Sequence, residues 1–183
     1  MSHSYADECP GCGSAEMLEE IARLRANGYR QRGRYRQYSK DGAEFHLGMM
    51  GEKAFHIWSG LDMNLDLRGK DGGHDFTTEI GTVDVKTYRK AYRLLRQCGL
   101  DPRSTSHHNP PDILVLAQPV DGPIKLWGWE YDAVMVTKPK RQMIRQPNIP
   151  LTHYMPRESL HTMTEMADMI EAARPTKTQG VLL

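Results

Sequence analysis

The period of apolar residues changes several times along the chain, and each change predicts an element. Met17/Leu18, Ile21 and Leu24 follow the capping residue Ser14 at helical spacing. They predict a helix from Ser14 to about Ala26 with Gly28 as its stop. Phe45, Met49, Phe55, Ile57 and Trp58 make a second helix, Ala43 to Ser59, ending at Gly60 and apolar enough to be largely buried. A Gly- and Asp-rich loop follows, with a short strand at Met63–Leu67. Asp75 to Thr87, rich in Thr, Val, Ile and Phe and punctuated by Gly81, predicts a β-hairpin. Arg89 to Gln97 reads as a helix stopped by Gly99, and 102–111 as a loop. Asp112–Gln118 and Ile124–Glu130 are strands joined by a Pro-Val-Asp-Gly-Pro turn. Beyond the spaced prolines 139, 147 and 150, a last helix runs from about Arg157 to Ala173, with Leu160, Met163, Met166/Ala167 and Ile170 as its packing face. The order is helix, three strands, helix, two strands, helix, which is a mixed α/β chain. An N-terminal helical and basic segment (1–41) precedes the main domain (42–183).

Composition narrows the class. At 183 residues the chain is one domain with at most a small appendage, and 39% hydrophobic residues suffice for a real core. The longest apolar run, Ile113 to Ala117, is far too short to span a bilayer. The first residues lack the basic and apolar regions of a secretory signal. Three cysteines argue against a disulfide scaffold and for a reducing, cytoplasmic compartment.

The net charge of +1 hides an asymmetry. Residues 1–22 carry Asp7, Glu8, Glu16, Glu19 and Glu20 and no base, whereas residues 23–40 are basic throughout and carry no acid. In that second block Arg30, Arg32, Arg34 and Arg36 alternate with Tyr29, Tyr35 and Tyr38. That composition suits a segment that tracks phosphates and stacks on bases; it equally suits a solvated face.

The hairpin carries the chemistry. With Ile80-Gly81 as its two-residue turn, Glu79 faces Thr82, Thr77 lies opposite Asp84, and Asp75 lies opposite Lys86. Asp75, Asp84 and Lys86 then project from one face, while Val83 and Val85 mark the apolar one. An ion-paired surface would look the same. Two nearby carboxylates repel unless a cation sits between them, however, and oxygen ligands in that arrangement suit Mg²⁺ or Mn²⁺. Hydrolysis of a phosphodiester needs such parts.

Asp75 followed by Asp84-Val85-Lys86 after a short hairpin resembles the PD-(D/E)xK nuclease superfamily. Glu52, inside Gly51-Glu-Lys-Ala54 of the second predicted helix, matches the helical glutamate of that superfamily and shares a face with Phe45, Met49, Phe55 and His56. The resemblance covers about Glu44 to Glu130, and His74 stands where the pattern has proline. It implies a restriction-endonuclease-like αβββαβ core, a mixed sheet flanked by helices. It also implies Asp75 and Asp84 as metal ligands, Glu52 as a further ligand or water positioner, Val85 offering its carbonyl, and Lys86 orienting or deprotonating the attacking water. The cofactor would be Mg²⁺, with Mn²⁺ as a substitute, and the substrate DNA; nothing in the sequence distinguishes RNA. A cut through both strands would ask for a homodimer, although no segment declares an interface.

Arg89, Arg93 and Arg96 fall at i, i+4 and i+7 of the helix expected after the motif, a basic stripe that would position DNA through its phosphates. Cys9-Pro-Gly-Cys12 is half of a zinc knuckle whose second pair is missing, so structural Zn²⁺ is not expected there. The alternative to an enzyme is a nucleic-acid-binding or assembly protein that keeps the nuclease-like fold without turnover.

Overall fold

The computed structural model describes residues 15–31, 43–63, 65, 74–89, 93–97, 110–138, 140–141 and 152–175. Helices α1 (Ala15–Gln31) and α2 (Ala43–Ser59) come first, then strands β1 (Phe76–Thr78), β2 (Gly81–Thr87), β3 (Arg93–Gln97), β4 (Ile113–Pro119) and β5 (Ile124–Tyr131). A single helical turn, α3 (Asp132–Met135), is followed by β6 (Lys140–Arg141) and β7 (Thr152–Pro156). A 3₁₀ turn at Arg157–Ser159 leads to α4 (Met163–Ala173). The main sheet is mixed, in the order β1-β2-β4-β5: the β1–β2 hairpin is antiparallel, β2 and β4 run parallel, and β4 and β5 are antiparallel. A second, antiparallel sheet has the order β3-β7-β6.

β4 is apolar without alternation because it is covered on both faces, the pattern expected of a central strand. Ile113, Val115 and Ala117 face the larger core with Val83, Val85, Phe76 and Trp129; Leu18, Met49, Phe55, Met166 and Ile170 bring in α1, α2 and α4. Leu114 and Leu116 face a smaller core with Leu94, Met135 and Met155, so the second sheet and α3 cover the other side.

Several expected boundaries and one element differ. α1 runs through Gly28 to Gln31. Its buried stripe is Leu18, Ile21 and Ala22, while Met17 and Leu24 are exposed, so the packed face is rotated by about one residue. Met63 and Leu65 are not in a strand; the remainder of that expected strand lies outside the described residues. Leu160 precedes α4 rather than sitting on it. Thr162 starts that helix with a capping box, its hydroxyl accepting from the Glu165 N–H while the Glu165 carboxylate accepts from the Thr162 N–H.

The larger correction concerns Arg89–Gln97, expected as a helix. Arg93–Gln97 is strand β3, paired from Arg93↔Pro156 to Gln97↔Thr152. Helix propensity is a weak preference, and pairing with a strand almost sixty residues away, with Leu94 fully buried, outweighs it. Among the described residues no helix is long and apolar enough to cross a membrane.

Candidate active site

The hairpin register decides which side chains meet. The turn is Glu79-Ile80, one residue earlier than expected, and the pairs are Phe76↔Val83, Thr77↔Thr82 and Thr78↔Gly81. Asp75 lies just before β1, outside the ladder, and is not set against Lys86 as expected. The turn keeps its two residues and only slides, so every residue keeps its face. Asp84 and Lys86 share a face of β2 as expected, whereas Asp75 meets them from the strand edge rather than as a cross-strand partner.

Local chemistry explains the shifted turn. Thr82 is tied to Asp112, whose Oδ2 accepts from both the Thr82 N–H and the Thr82 hydroxyl at 2.8 Å, while the Asp112 N–H donates to Thr82 Oγ1 at 3.0 Å. Gly81 has φ +132° and lies so close to Asp112 that a Cβ would come within 2.8 Å of its carboxylate. A glycine is required there by both conformation and space.

β1 begins only at Phe76, so among the described residues the β2 edge beyond it has no strand neighbour on that side. Asp75 takes its place. Its N–H donates to the Val83 carbonyl at 2.8 Å, and its Oδ2 accepts from the Val85 N–H at 2.7 Å. The N–H and C=O of one strand residue point the same way, so the Val85 carbonyl faces the edge that Asp75 lines. Lys86 Nζ sits 2.5 Å from Asp84 Oδ2; the Lys86 side chain is 38% exposed and the Asp84 side chain 17%.

Glu52 approaches Asp75 from α2, which covers the Val83–Val85 side of β2. The preceding Gly51 is buried against β2, and a Cβ there would overlap the Thr87 hydroxyl, so the glycine lets the helix lie close on the strand. The electrostatics show that the four groups are neighbours. Burial holds the Asp75 carboxyl well above its ordinary value of 3.8. The Glu52 and Asp84 carboxylates push it further, against the Val85 N–H and Lys86. Burial alone would lower the Lys86 ammonium, but the Asp84 carboxylate outweighs it and keeps the lysine charged.

Tyr88 belongs to the same face and was not singled out in the sequence. Burial pushes its phenol up to about 12; Lys86 opposes the shift, and Asp84 adds to it. The signal was present, because residues 84, 86 and 88 alternate onto one side of a strand.

The basic residues fare differently. Arg89 is exposed just after β2. Arg93 and Arg96 lie on strand β3 rather than on a helix, so the expected stripe at helical spacing is not formed. Arg30 is in the last turn of α1; Arg32, Arg34 and Arg36, like Cys9 and Cys12, lie outside the described residues. Among the described residues no three Cys, His, Asp or Glu side chains are already gathered as a metal-holding group. The donor set nonetheless fits a hard divalent cation. Asp75 is a desolvated carboxyl facing two further carboxylates beside a backbone carbonyl, an excess of negative charge that a proton or a metal relieves.

Searches of family models, curated proteins and solved structures each return no match to this chain.

Proposed function

We propose that the protein is a metal-dependent nuclease of the PD-(D/E)xK type that hydrolyses phosphodiester bonds in DNA. The observation that carries this reading is the grouping of Glu52, Asp75, Asp84 and Lys86 at the β2 edge, where burial and the acidic neighbours raise the Asp75 carboxyl well above its ordinary value. The reading draws support from the succession of α2, the β1–β2 hairpin and the β4–β5 pair along the chain, while the third strand that an αβββαβ core places before its second helix is not among the described elements. β3 is the described element between β2 and β4, where that core has a helix.

Asp75, Asp84 and the Val85 carbonyl would hold Mg²⁺ or Mn²⁺, with Glu52 as a further ligand or water positioner. The ion, when bound, supplies Lewis-acid stabilisation of the charge that builds on the phosphate. Asp75 is oriented by the Val85 N–H, which leaves its other carboxylate oxygen to serve as a ligand. Lys86 is kept as an ammonium by Asp84, which suits it to orient water and to stabilise developing negative charge. A charged lysine is a poor base, so of the two expected roles, orientation is favoured over deprotonation.

A second reading, a nucleic-acid-binding protein without turnover, draws on the direct Lys86–Asp84 contact, which already engages one carboxylate. Supercoiled plasmid and single-stranded DNA incubated with Mg²⁺, Mn²⁺ or EDTA separate the two. The nuclease reading expects metal-dependent cleavage that a folded Asp84→Asn variant loses. Cleavage of equal rate in that variant overturns it. DNA retention without cleavage, and no Asp75-dependent Mn²⁺ site in calorimetry, moves the assignment to the binding protein.

A further inference from the structure

The candidate site does not use a second group of cations on the same side of the sheet. In the β4–β5 ladder Leu116 pairs with Gly128 and Ala117 with Leu126, so Trp127 is the extra residue of a β-bulge. A bulge re-aims a side chain, and here it turns the indole toward the Leu116 face, where Trp127 packs at the margin of the smaller core. Lys125 Nζ and Arg157 Cζ each lie 3.9 Å from the Trp127 ring centroid. The two cationic centres are thus within about 8 Å of each other, inside one Debye length at physiological salt. Beside Arg157 lies the Glu158 carboxylate, 72% exposed and 3.7 Å from Arg157 Nη2; among the described residues no carboxylate pairs with Lys125.

This arrangement is tied to the candidate site. Trp127 Nε1 donates to Gln118 Oε1 at 3.1 Å, and Gln118 Nε2 donates to the carbonyl of exposed Arg89 at 3.5 Å. Arg89 follows Tyr88, which is two residues from Lys86, and Gln118 pairs directly with Lys125. Lys86, Leu116 and Gly128 lie in one row across β2, β4 and β5. At about 4.8 Å between strands, the lysine and the bulge are about 10 Å apart at the backbone. That is the axial rise of about three phosphates along one strand of B-DNA.

Two like charges gathered on one indole repel, and a polyanion lying across them removes the repulsion. The geometry points to Arg89, Lys125 and Arg157, aligned by Trp127 and Gln118, as a phosphate-binding rim that holds the DNA backbone beside the scissile position. The inference rests on the nuclease reading for its substrate, although the rim itself is defined by binding. Both indole contacts are made by cations, so the tryptophan positions charges and is not offered as a base-stacking platform.

The test is the salt dependence of DNA binding, measured in EDTA on a fluorescent duplex, for the wild type and the Lys125→Gln/Arg157→Gln double variant. Glutamine keeps part of each stem over the indole, and far-UV circular dichroism checks the fold. Loss of two phosphate contacts flattens the slope of log K against log salt by about 2, and adding Arg89→Gln removes about one more. A parallel cleavage assay in Mg²⁺ expects the double variant to show a raised KM for DNA. A wild-type slope retained by the double variant, or no DNA binding by the wild type, overturns the rim. A flattened slope with no cleavage by the wild type keeps the rim and sinks the nuclease reading instead.

Discussion

Replacing Asp75 by asparagine removes a charge from an acidic pocket while keeping the side-chain shape and an oxygen to accept from the Val85 N–H. With an effective dielectric constant of about 20, two carboxylates about 5–6 Å apart repel by about 3 kcal/mol, and an ammonium about 7–8 Å away returns about 2 kcal/mol, the scale expected for Asp84 and Lys86 acting on Asp75. Burial and Glu52 both add to the unfavourable side. The expected result is a metal-free Asp75→Asn protein more stable than the wild type by about 1–2 kcal/mol at neutral pH, or about 3–6 °C in Tm for a chain of this size. The sign follows from proton linkage. The folded-state value of Asp75 is raised above its ordinary 3.8, so the folded wild type binds the extra proton and loses stability as pH rises from that ordinary value through the raised one. Asparagine has no such proton. The two proteins should therefore be equally stable below the ordinary value and diverge above it. Thermal denaturation in EDTA from about pH 3 to about pH 8 reads the gap. An asparagine variant less stable than the wild type at neutral pH, or a gap that does not change with pH, refutes the electrostatic account. Adding Mg²⁺ should raise the Tm of the wild type and close the gap, because an ion bound only by the folded protein stabilises it.

Two further outcomes test how the site is supported. Gly51→Ala should destabilise by about 1–2 kcal/mol despite the better helix propensity of alanine, because the added methyl overlaps the Thr87 side chain. The double variant with Thr87→Ala should recover most of that loss in urea titrations, and strictly additive effects would show that the contact is not the cause. Asp112→Ala removes the acceptor of two Thr82 hydrogen bonds and should cost about 1–2 kcal/mol. The Thr82 N–H and hydroxyl hold the Asp112 carboxyl below its ordinary 3.8, so its contribution is present above that value and lost as pH falls through the lowered one. A variant with wild-type stability at neutral pH would refute this role.

Strong local periodicity was enough for α2, the hairpin and the β4–β5 pair, whose expected limits differ from the observed ones by a residue or so. It was enough for the shared face of Asp84 and Lys86 as well. A strand alternates with period two, and a two-residue turn displaced by one position preserves every face. The same rule marks Tyr88, and the Thr162–Glu165 spacing marks the start of α4; both signals were in the sequence.

Tertiary contacts decided the rest. Arg93–Gln97 has the composition of a helix and becomes a strand because β7 offers a ladder and the Leu114–Leu116 face offers burial for Leu94, neither of which is local. The distance from Glu52 to the carboxylates depends on how closely α2 lies on β2, set by Gly51 against Thr87. The meeting of Lys125, Trp127 and Arg157 needs a bulge in one strand and a 3₁₀ turn thirty residues away. Sequence spacing reports which residues share a face of their own element. Which faces then meet, and how closely, is set by packing free energies that belong to no single segment.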